Sequence, residues 1–346
     1  MAFFETINNG AAPRFMSQKN RQDQILKLFR QHPGAFVSGA EISRALGVSR
    51  TAVWKQVEHL RSLGYRIEAV TARGYRLHES PDLLLPAELQ IDLNTEIVGR
   101  KLIYFAETDS TNDRAHELAK GGAVEGTVVI ADAQRAGKGR MGRRWESPAG
   151  VNLYASVILR PPIAPRHAPQ LTFLSAAAVA RAIAEVTDLK PTVKWPNDVL
   201  LEGRKVAGLL NELDAETERI HYLVLGIGVN VNMRQEQFPD DLRYPASSLA
   251  LACGGELPRL LFARTLLNQL DLLYGEYRKQ GFAPILQAWQ KHFTLTGKAV
   301  EVDCQGRMLR GKVAGLDDDG ALLLQLTDGR TERVLAGDVR PIADIE

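Results

Sequence analysis

The sequence predicts an α+β protein with three folded parts in series: a winged helix-turn-helix, a mixed α/β domain and a small β-barrel. Three observations carry this. Two serine-capped helices flank a turn glycine near the amino terminus and are followed by two short strands. Strand-like and helix-like segments then mix from residue 90 to 280. From residue 295 to 346 the pattern changes to short strands split by tight turns. The expected boundaries are a disordered tail over 1–18, the winged helix over 19–82, the central domain over 90–280 and the barrel over 295–346. A chain of 346 residues that is 45% apolar has enough material for cores of this kind.

In the first part, Ile25, Leu26, Leu28 and Phe29 share a helical face that stops near Pro33-Gly34. Ser38-Gly-Ala-Glu41 reads as a capping box, with serine and glutamate each placed to satisfy a free helix-start amide. That helix runs through Ile42, Ala45 and Leu46 to the turn at Gly47. Ser49 caps a longer helix whose Val53, Val57 and Leu60 point inward. Arg50, Thr51, Lys55 and Trp54 are left facing out, on the turns that enter a major groove in this arrangement. Two strands after Gly64 form a wing with Arg73 at its tip, placed for a phosphate or a minor groove. Residues 19–80 hold eleven Lys/Arg against five Asp/Glu, a net +6, whereas the whole chain is only +2. Contact with a polyanion fits this imbalance, and so does a small helical domain that binds protein or covers a site.

In the central part, Leu102–Ala106 reads as a strand and Thr111–Lys120 as a helix started by Ser110 or Thr111. Thr127–Ala133 and the alternating Asn152–Leu159 read as strands, and the alanine-rich Phe173–Val186 as a buried helix. A strand ends at Lys194, Glu202-Gly203 turns a hairpin into Val206–Leu210, and His221–Val231 forms a last strand broken by Gly226 and Gly228. The sheet is expected to be mostly antiparallel. In the third part, turns at Asp317–Gly320 and Asp328-Gly329 separate Val300–Val302, Arg310–Val313, Ala321–Leu326 and Thr331–Leu335. Cys253 and Cys304 are isolated, which suits a reducing compartment. No apolar run approaches the ~18 residues of a membrane span, and residues 1–15 read poorly as a signal peptide. Met16 is an alternative start.

Two motifs carry the chemistry. Gly137-Lys-Gly-Arg-Met-Gly-Arg-Arg-Trp145 combines three glycines with Lys138, Arg140, Arg143 and Arg144. Glycines let backbone approach an anion, and the cations neutralise it. Its Gly137-x-Gly139-x-x-Gly142 spacing matches a dinucleotide fingerprint, but Pro148 and Gly150 argue against the helix that fingerprint requires. A P-loop pattern is absent from the sequence. Lys194-Trp-Pro-Asn-Asp198 places a lysine at the end of an apolar stretch, where a cation is rarely buried without a partner. Asn197 and Asp198 suit a phosphate, a hard cation or simply a turn. Trp145 and Trp195 suit either a ligand contact or core packing.

With Asp109-Ser-Thr-Asn112, Lys205-Val-Ala-Gly208 and Gly226-Ile-Gly-Val-Asn230, these motifs resemble, in order, those of the biotin protein ligases, over the whole length of the bifunctional type that also represses biotin operons. Lys138 and Met141 depart from the arginines found there. The resemblance implies a biotin/lipoate-ligase-like central domain and an SH3-like barrel. It implies a two-step activity with biotin and ATP as substrates and Mg²⁺ as the accompanying ion. Biotinyl-5′-AMP forms first, and biotin then passes to a lysine of a biotin carboxyl carrier protein. Lys194 is expected to bridge biotin carboxylate and α-phosphate, with Arg140 as a phosphate clamp. Ser110, Thr111, Asn112 and Gln134 are expected around the ureido ring and carboxylate, and Gly208 and Gly228 along the apolar channel. Gly137, Lys138, Gly139, Met141 and Gly142 form the expected binding loop, with Trp145 on adenine or the valeryl chain. Asn197 and Asn230 complete the set, and no protein-held metal site is expected. Operator DNA is expected at Ser49, Arg50, Thr51, Lys55 and Arg73, with an adenylate-loaded homodimer, cytoplasmic location and no membrane contact. A ligase without repression, a biotin-sensing regulator with little ligase activity and a lipoate ligase remain open at this point.

Overall fold

The computed structural model describes residues 18–342 except 243 and 305. The expected tail and alternative start therefore lie, Gln18 apart, outside the described residues. The chain forms two compact units that divide between Pro81 and Asp82. No helix among the described residues is long and apolar enough to cross a membrane.

In the first unit, α1 (Gln18–Gln31), α2 (Gly39–Leu46) and α3 (Arg50–Ser62) precede an antiparallel hairpin of β1 (Arg66–Val70) and β2 (Gly74–Glu79). Ile25, Leu26, Phe29, Ile42, Val53, Val57 and Leu60 are buried at its centre, so the inward face expected of α3 is the observed one. Gly47 supplies the left-handed turn between α2 and α3 (φ 63°), a conformation with little steric penalty for glycine. Ser49 Oγ accepts from the Ala52 amide, and Ser38 Oγ from the Glu41 amide at 3.1 Å. The capping box is otherwise not reciprocal: the Glu41 carboxylate lies 3.6 Å from His32 Nε2. The wing is fixed by Val37, whose amide and carbonyl bond Tyr75 at 2.8 and 2.9 Å. A Cβ at Gly74 would stand 2.2 Å from the Val37 carbonyl oxygen, so only glycine allows this approach.

In the second unit, α4 (Pro86–Leu89), β3 (Lys101–Thr108), α5 (Thr111–Lys120), β4 (Thr127–Gln134) and β5 (Leu153–Leu159) lead to α6 (Gln170–Val186). Then follow β6 (Thr192–Lys194), β7 (Asp198–Leu201), β8 (Arg204–Ala215), β9 (Ile220–Val229), α7 (Leu249–Cys253), α8 (Arg259–Gln280) and α9 (Ala283–Gln290). The seven-stranded order is β3-β4-β5-β9-β8-β7-β6, with only β3 and β4 parallel, the pair that α5 connects. The sheet is thus mostly antiparallel, as its pattern predicts. Every residue of β5 is buried, which simple alternation does not anticipate. Both sheet faces are covered: Leu153, Ala155 and Val157 join the large core with α6, while Ile158 packs with Ala115 and Ala119 of α5.

The carboxy-terminal strands are β10 (Ala299–Cys304), β11 (Arg307–Leu316), β12 (Leu322–Leu326), β13 (Thr331–Val334) and β14 (Asp338–Pro341). They form an antiparallel sheet in the order β13-β12-β11-β10-β14. This sheet shares the large core of its unit through Val300, Val302 and Leu322. Trp195 Nε1 donates to the Gly320 carbonyl at 3.0 Å, and Tyr244 OH to that of Val339 at 2.9 Å.

Candidate active site

Two glycines that face each other across strands create the site. Gly208 of β8 and Gly228 of β9 are directly paired, and Leu210 pairs with Gly226 in the next rung on the same face. Missing side chains on both members of a rung leave a trough in the sheet. The Trp145 indole lies across it: a Cβ at Gly208 would stand 2.8 Å from Trp145 Cζ3, and one at Gly228 2.6 Å from Cε2. Under the indole remains a cavity of about 50 Å³, below the several hundred Å³ of ordinary ligand pockets. On the other side of Trp145 opens a cavity of about 510 Å³, within that range. Trp145 is therefore the wall between a narrow polar-ended trough and a wide chamber.

The polar end of the trough is the first turn of α5. Ser110, Thr111 and Asn112 line it, with Gln134 from the end of β4. Gln134 Oε1 accepts from the Thr111 amide at 2.8 Å and hydroxyl at 3.1 Å, while its Nε2 donates to Ser147 Oγ at 2.9 Å. Ser110 occupies the helix N-cap position, but its side chain makes no capping bond. The Asp109 carboxylate instead accepts from the Ser110 amide at 2.8 Å and from Arg114 Nε at 3.0 Å. The Arg114 guanidinium holds the Asp109 carboxyl well below the ordinary aspartate range.

The glycine-arginine loop runs along the open side. Gly137 is needed where loop meets strand, since a Cβ there would stand 2.4 Å from the Trp145 carbonyl oxygen. A single 3₁₀ turn spans Arg140–Gly142, with no helix after it, and exposed Met141 holds a left-handed φ of 58°. The four loop cations are already engaged: Lys138 with Asp113, Arg143 with Asp338 of β14, and Arg144 with Glu146. Among these four, Arg140 alone is held by a neutral partner, donating to Asn197 Oδ1 at 2.9 Å. Its charge is left for an anion.

The lysine hairpin gathers two ammonium groups around one carboxylate. Lys194 lines neither cavity. It is buried, with Nζ 3.2 Å from Asp198 Oδ2 and 3.4 Å from the Tyr244 ring centroid. Lys205 lines both cavities instead, its Nζ 2.6 Å from Asp198 Oδ1 and 5.3 Å from the Trp145 ring. One carboxylate shared by two ammonium groups leaves a net positive charge, presented through Lys205. Lys194 is thus paired with Asp198, four residues on, and both Asp198 and Tyr244 line the large cavity. Lys205 stands in Lys205-Val-Ala-Gly208, three residues before the trough glycine, a motif that carries no local sign of this position.

Of the other expected residues, Lys138, Gly139, Arg140, Asn197, Gly208 and Gly228 line the small cavity and Asn230 the large one. Gly137, Met141 and Gly142 line neither. Asn197 is spent on structure as well as on Arg140, since its Nδ2 donates to the Leu209 carbonyl at 2.9 Å. Asn230 Nδ2 donates to the Ser247 carbonyl at 3.1 Å. No group of three His, Cys, Asp or Glu side chains gathers among the described residues.

In the first unit, Ser49, Arg50, Thr51, Lys55 and Arg73 are all exposed. The Arg73 guanidinium stacks over Phe36 at 4.1 Å, which orients it at the wing tip.

Residues 104–230 match the biotin/lipoate A/B protein ligase family, 21–76 an HTH domain and 295–340 the biotin protein ligase C-terminal domain. The chain is 41% identical to the bifunctional ligase/repressor BirA of Bacillus subtilis over 91% of its own length and 97% of that protein. It is 32% identical to BirA of Escherichia coli, over 88% and 93% of the two chains. Its fold is similar to that of the biotin protein ligase from Aquifex aeolicus in complex with biotin and ATP, with a TM-score of 0.61 and 29% identity, covering 71% of this chain and 100% of that one.

Proposed function

This chain belongs to the family of bifunctional biotin ligase/repressors, and on that premise we propose that it is an ATP-dependent biotin protein ligase whose amino-terminal unit binds operator DNA. One observation carries the catalytic reading: Arg140, held by a neutral partner, and Lys205, sharing one carboxylate with Lys194, stand where the trough and the chamber meet at Trp145. Biotin's ring system fits the trough, with its ureido group toward Ser110, Thr111, Asn112 and Gln134. ATP fits the chamber, beside Phe238 and Tyr244. The carboxylate and α-phosphate then meet at the two cations.

Two anions repel, so the first step depends on holding them in line and neutralising the charge that develops. Biotin's carboxylate oxygen attacks the α-phosphorus, and pyrophosphate leaves. Lys205, fixed by Asp198, faces both anions; Lys194 keeps Asp198 in place. Arg140 retains the adenylate. An acceptor lysine amine then attacks the activated carbonyl, forming the amide and releasing AMP. Mg²⁺ enters this reading only as the ion carried by the nucleotide. Because the trough is nearly filled, ligand entry requires the loop bearing Trp145 to lift, and closure over the adenylate reorders it. Ordering three glycines has an entropic cost that the bound ligand offsets.

From Leu210 onward, β8 has β9 as its only strand neighbour among the described residues. That open edge supports pairing with a second copy, or with a carrier protein competing for the same edge. An adenylate-loaded dimer would bring two winged helices to two half-sites, with Arg50, Thr51 and Lys55 in the groove and Arg73 at the backbone. The test is biotin-dependent ATP–pyrophosphate exchange, transfer to a biotin carboxyl carrier domain, and sedimentation and operator binding with and without biotin plus ATP. Absence of exchange would overturn the ligase reading, and tight operator binding by the unliganded monomer the switch.

A further inference from the structure

Outside the reacting centre, one half-buried carboxylate is wired into the trough. Glu212 lies on β8 beyond the stretch paired with β7, on the open edge of the sheet. Its Oε2 accepts from Asn112 Nδ2 at 2.7 Å and lies 3.6 Å from His116 Nε2. On the opposite side of the same amide, Asn112 Oδ1 accepts from Ser156 Oγ at 2.6 Å. The Asn112 side chain fills the space left by Gly226, where a Cβ would stand 2.3 Å from Oδ1. Ser156 Oγ is also 2.8 Å from Thr111 Oγ1, whose own proton goes to Gln134. These contacts join the sheet edge to the trough wall through Glu212, Asn112 and Ser156, with Thr111 and Gln134 packed beside them.

The direction of these hydrogen bonds is set at their ends. An amide is nearly symmetric in shape, and its orientation follows from which neighbours only accept. An ionised carboxylate only accepts, so Asn112 must turn its NH₂ toward Glu212 and its oxygen toward Ser156. The His116 imidazole, followed by the Asn112 amide, holds the Glu212 carboxyl below the ordinary glutamate range, so it is ionised at neutral pH. With Asn112 fixed, the single Ser156 proton goes to its Oδ1, while Thr111 donates separately to Gln134, so Glu212 acts on the trough through Asn112, which lines it.

We propose that Glu212 is a positioning residue for biotin: from the sheet edge its carboxylate fixes the Asn112 amide and thereby the hydrogen-bonding polarity of the ureido-facing wall. This rests on the reading of the trough as the biotin site. Glu212 touches neither reacting group, so its loss acts on biotin recognition and not on the chemical step.

The experiment measures biotin-dependent ATP–pyrophosphate exchange by the full chain, wild type beside Glu212→Gln and Glu212→Ala, with KM for biotin, KM for ATP and kcat determined separately. Removing a charged hydrogen-bond partner has an effect on the order of tenfold to a hundredfold. Glu212→Ala is expected to raise the biotin KM to that extent, leaving the ATP KM and kcat within about twofold. Glu212→Gln keeps the shape but offers both a donor and an acceptor, so an intermediate rise in biotin KM is expected. Because Gln is isosteric, this variant decides the matter even where the alanine variant does not fold. A biotin KM at the wild-type value in Glu212→Gln, or equal shifts in both KM values and kcat, overturns the inference while leaving the ligase reading intact. A wild-type chain without biotin-dependent exchange overturns both.

Discussion

The glycine-arginine loop and the lysine hairpin both bring cations to the junction of the two cavities, by opposite means. Lys194 of β6 and Lys205 of β8 flank β7 and its one buried carboxylate, so this charge is in place before any ligand arrives. The loop spreads four cations over Asp113 of α5, Asp338 of β14, the nearby Glu146 and Asn197 of the hairpin, with glycines between them. Preorganised charge serves the chemical step, since nothing must reorganise as the transition state forms. Charge on a loop serves capture and release, which require motion.

The sharpest way to break this comparison is Lys205→Ala. It should slow single-turnover adenylation by about 10²–10³. Lys194→Ala should act mainly on stability, by about 1.5–3 kcal/mol in denaturant unfolding, because it removes one of the two cations that hold Asp198. Adenylation lost equally in a stably folded Lys194→Ala protein would return the bridging role to Lys194. Next in size, Gly228→Ala inserts a Cβ into the indole and should raise the biotin KM by about tenfold, with overpacking of roughly 1–3 kcal/mol. An unaltered biotin KM would mean that the trough is not where biotin lies. Arg140→Gly should speed adenylate release by about tenfold or more, measured by chase, with free biotinyl-AMP labelling bystander lysines. Retention at the wild-type rate would remove Arg140 as the clamp. In the other unit, Arg50→Ala or Lys55→Ala should weaken operator binding and lower the salt slope by about one. Affinity unaffected by either change would argue against groove binding by α3.

The smallest effect concerns the base of α5. Arg114 depresses the Asp109 carboxyl, so the pair's stabilisation is present above the ordinary aspartate range and is lost only as pH falls through the lowered value. Arg114→Ala should move the Asp109 midpoint up toward that range in a carboxyl-resolved NMR titration. A midpoint that stays low would assign the shift to the Ser110 and Thr108 hydrogen bonds instead.

These contrasts also mark what was legible in the sequence. Elements with local signals were read closely: the serine caps of α2 and α3, the turn at Gly47, and the glycines of β9. The two chemical motifs are contiguous, so their presence was plain. Which lysine faces the cavity was not, because that depends on strand register: Lys194 pairs with Asp198, and Asp198 with Gly208, carrying Lys205 to the open side. The partners of Lys138 and Arg143 were equally hidden, since Asp113 and Asp338 are brought to the loop only by tertiary packing. Glu212 offered no local signal either; its meaning lies in the amide it holds from another element.

The wall between trough and chamber has an optical consequence. Of the four tryptophans, Trp195 and Trp289 are fully buried in the second unit, while Trp54 is half exposed on α3. Trp145, beside the Lys205 ammonium and lining both cavities, is the indole whose surroundings each substrate would alter. The intrinsic fluorescence of the molecule thus contains two separable reporters. A Trp54→Phe protein would display substrate occupancy through Trp145, and a Trp145→Phe protein would display engagement of the winged helix through Trp54, without any attached dye.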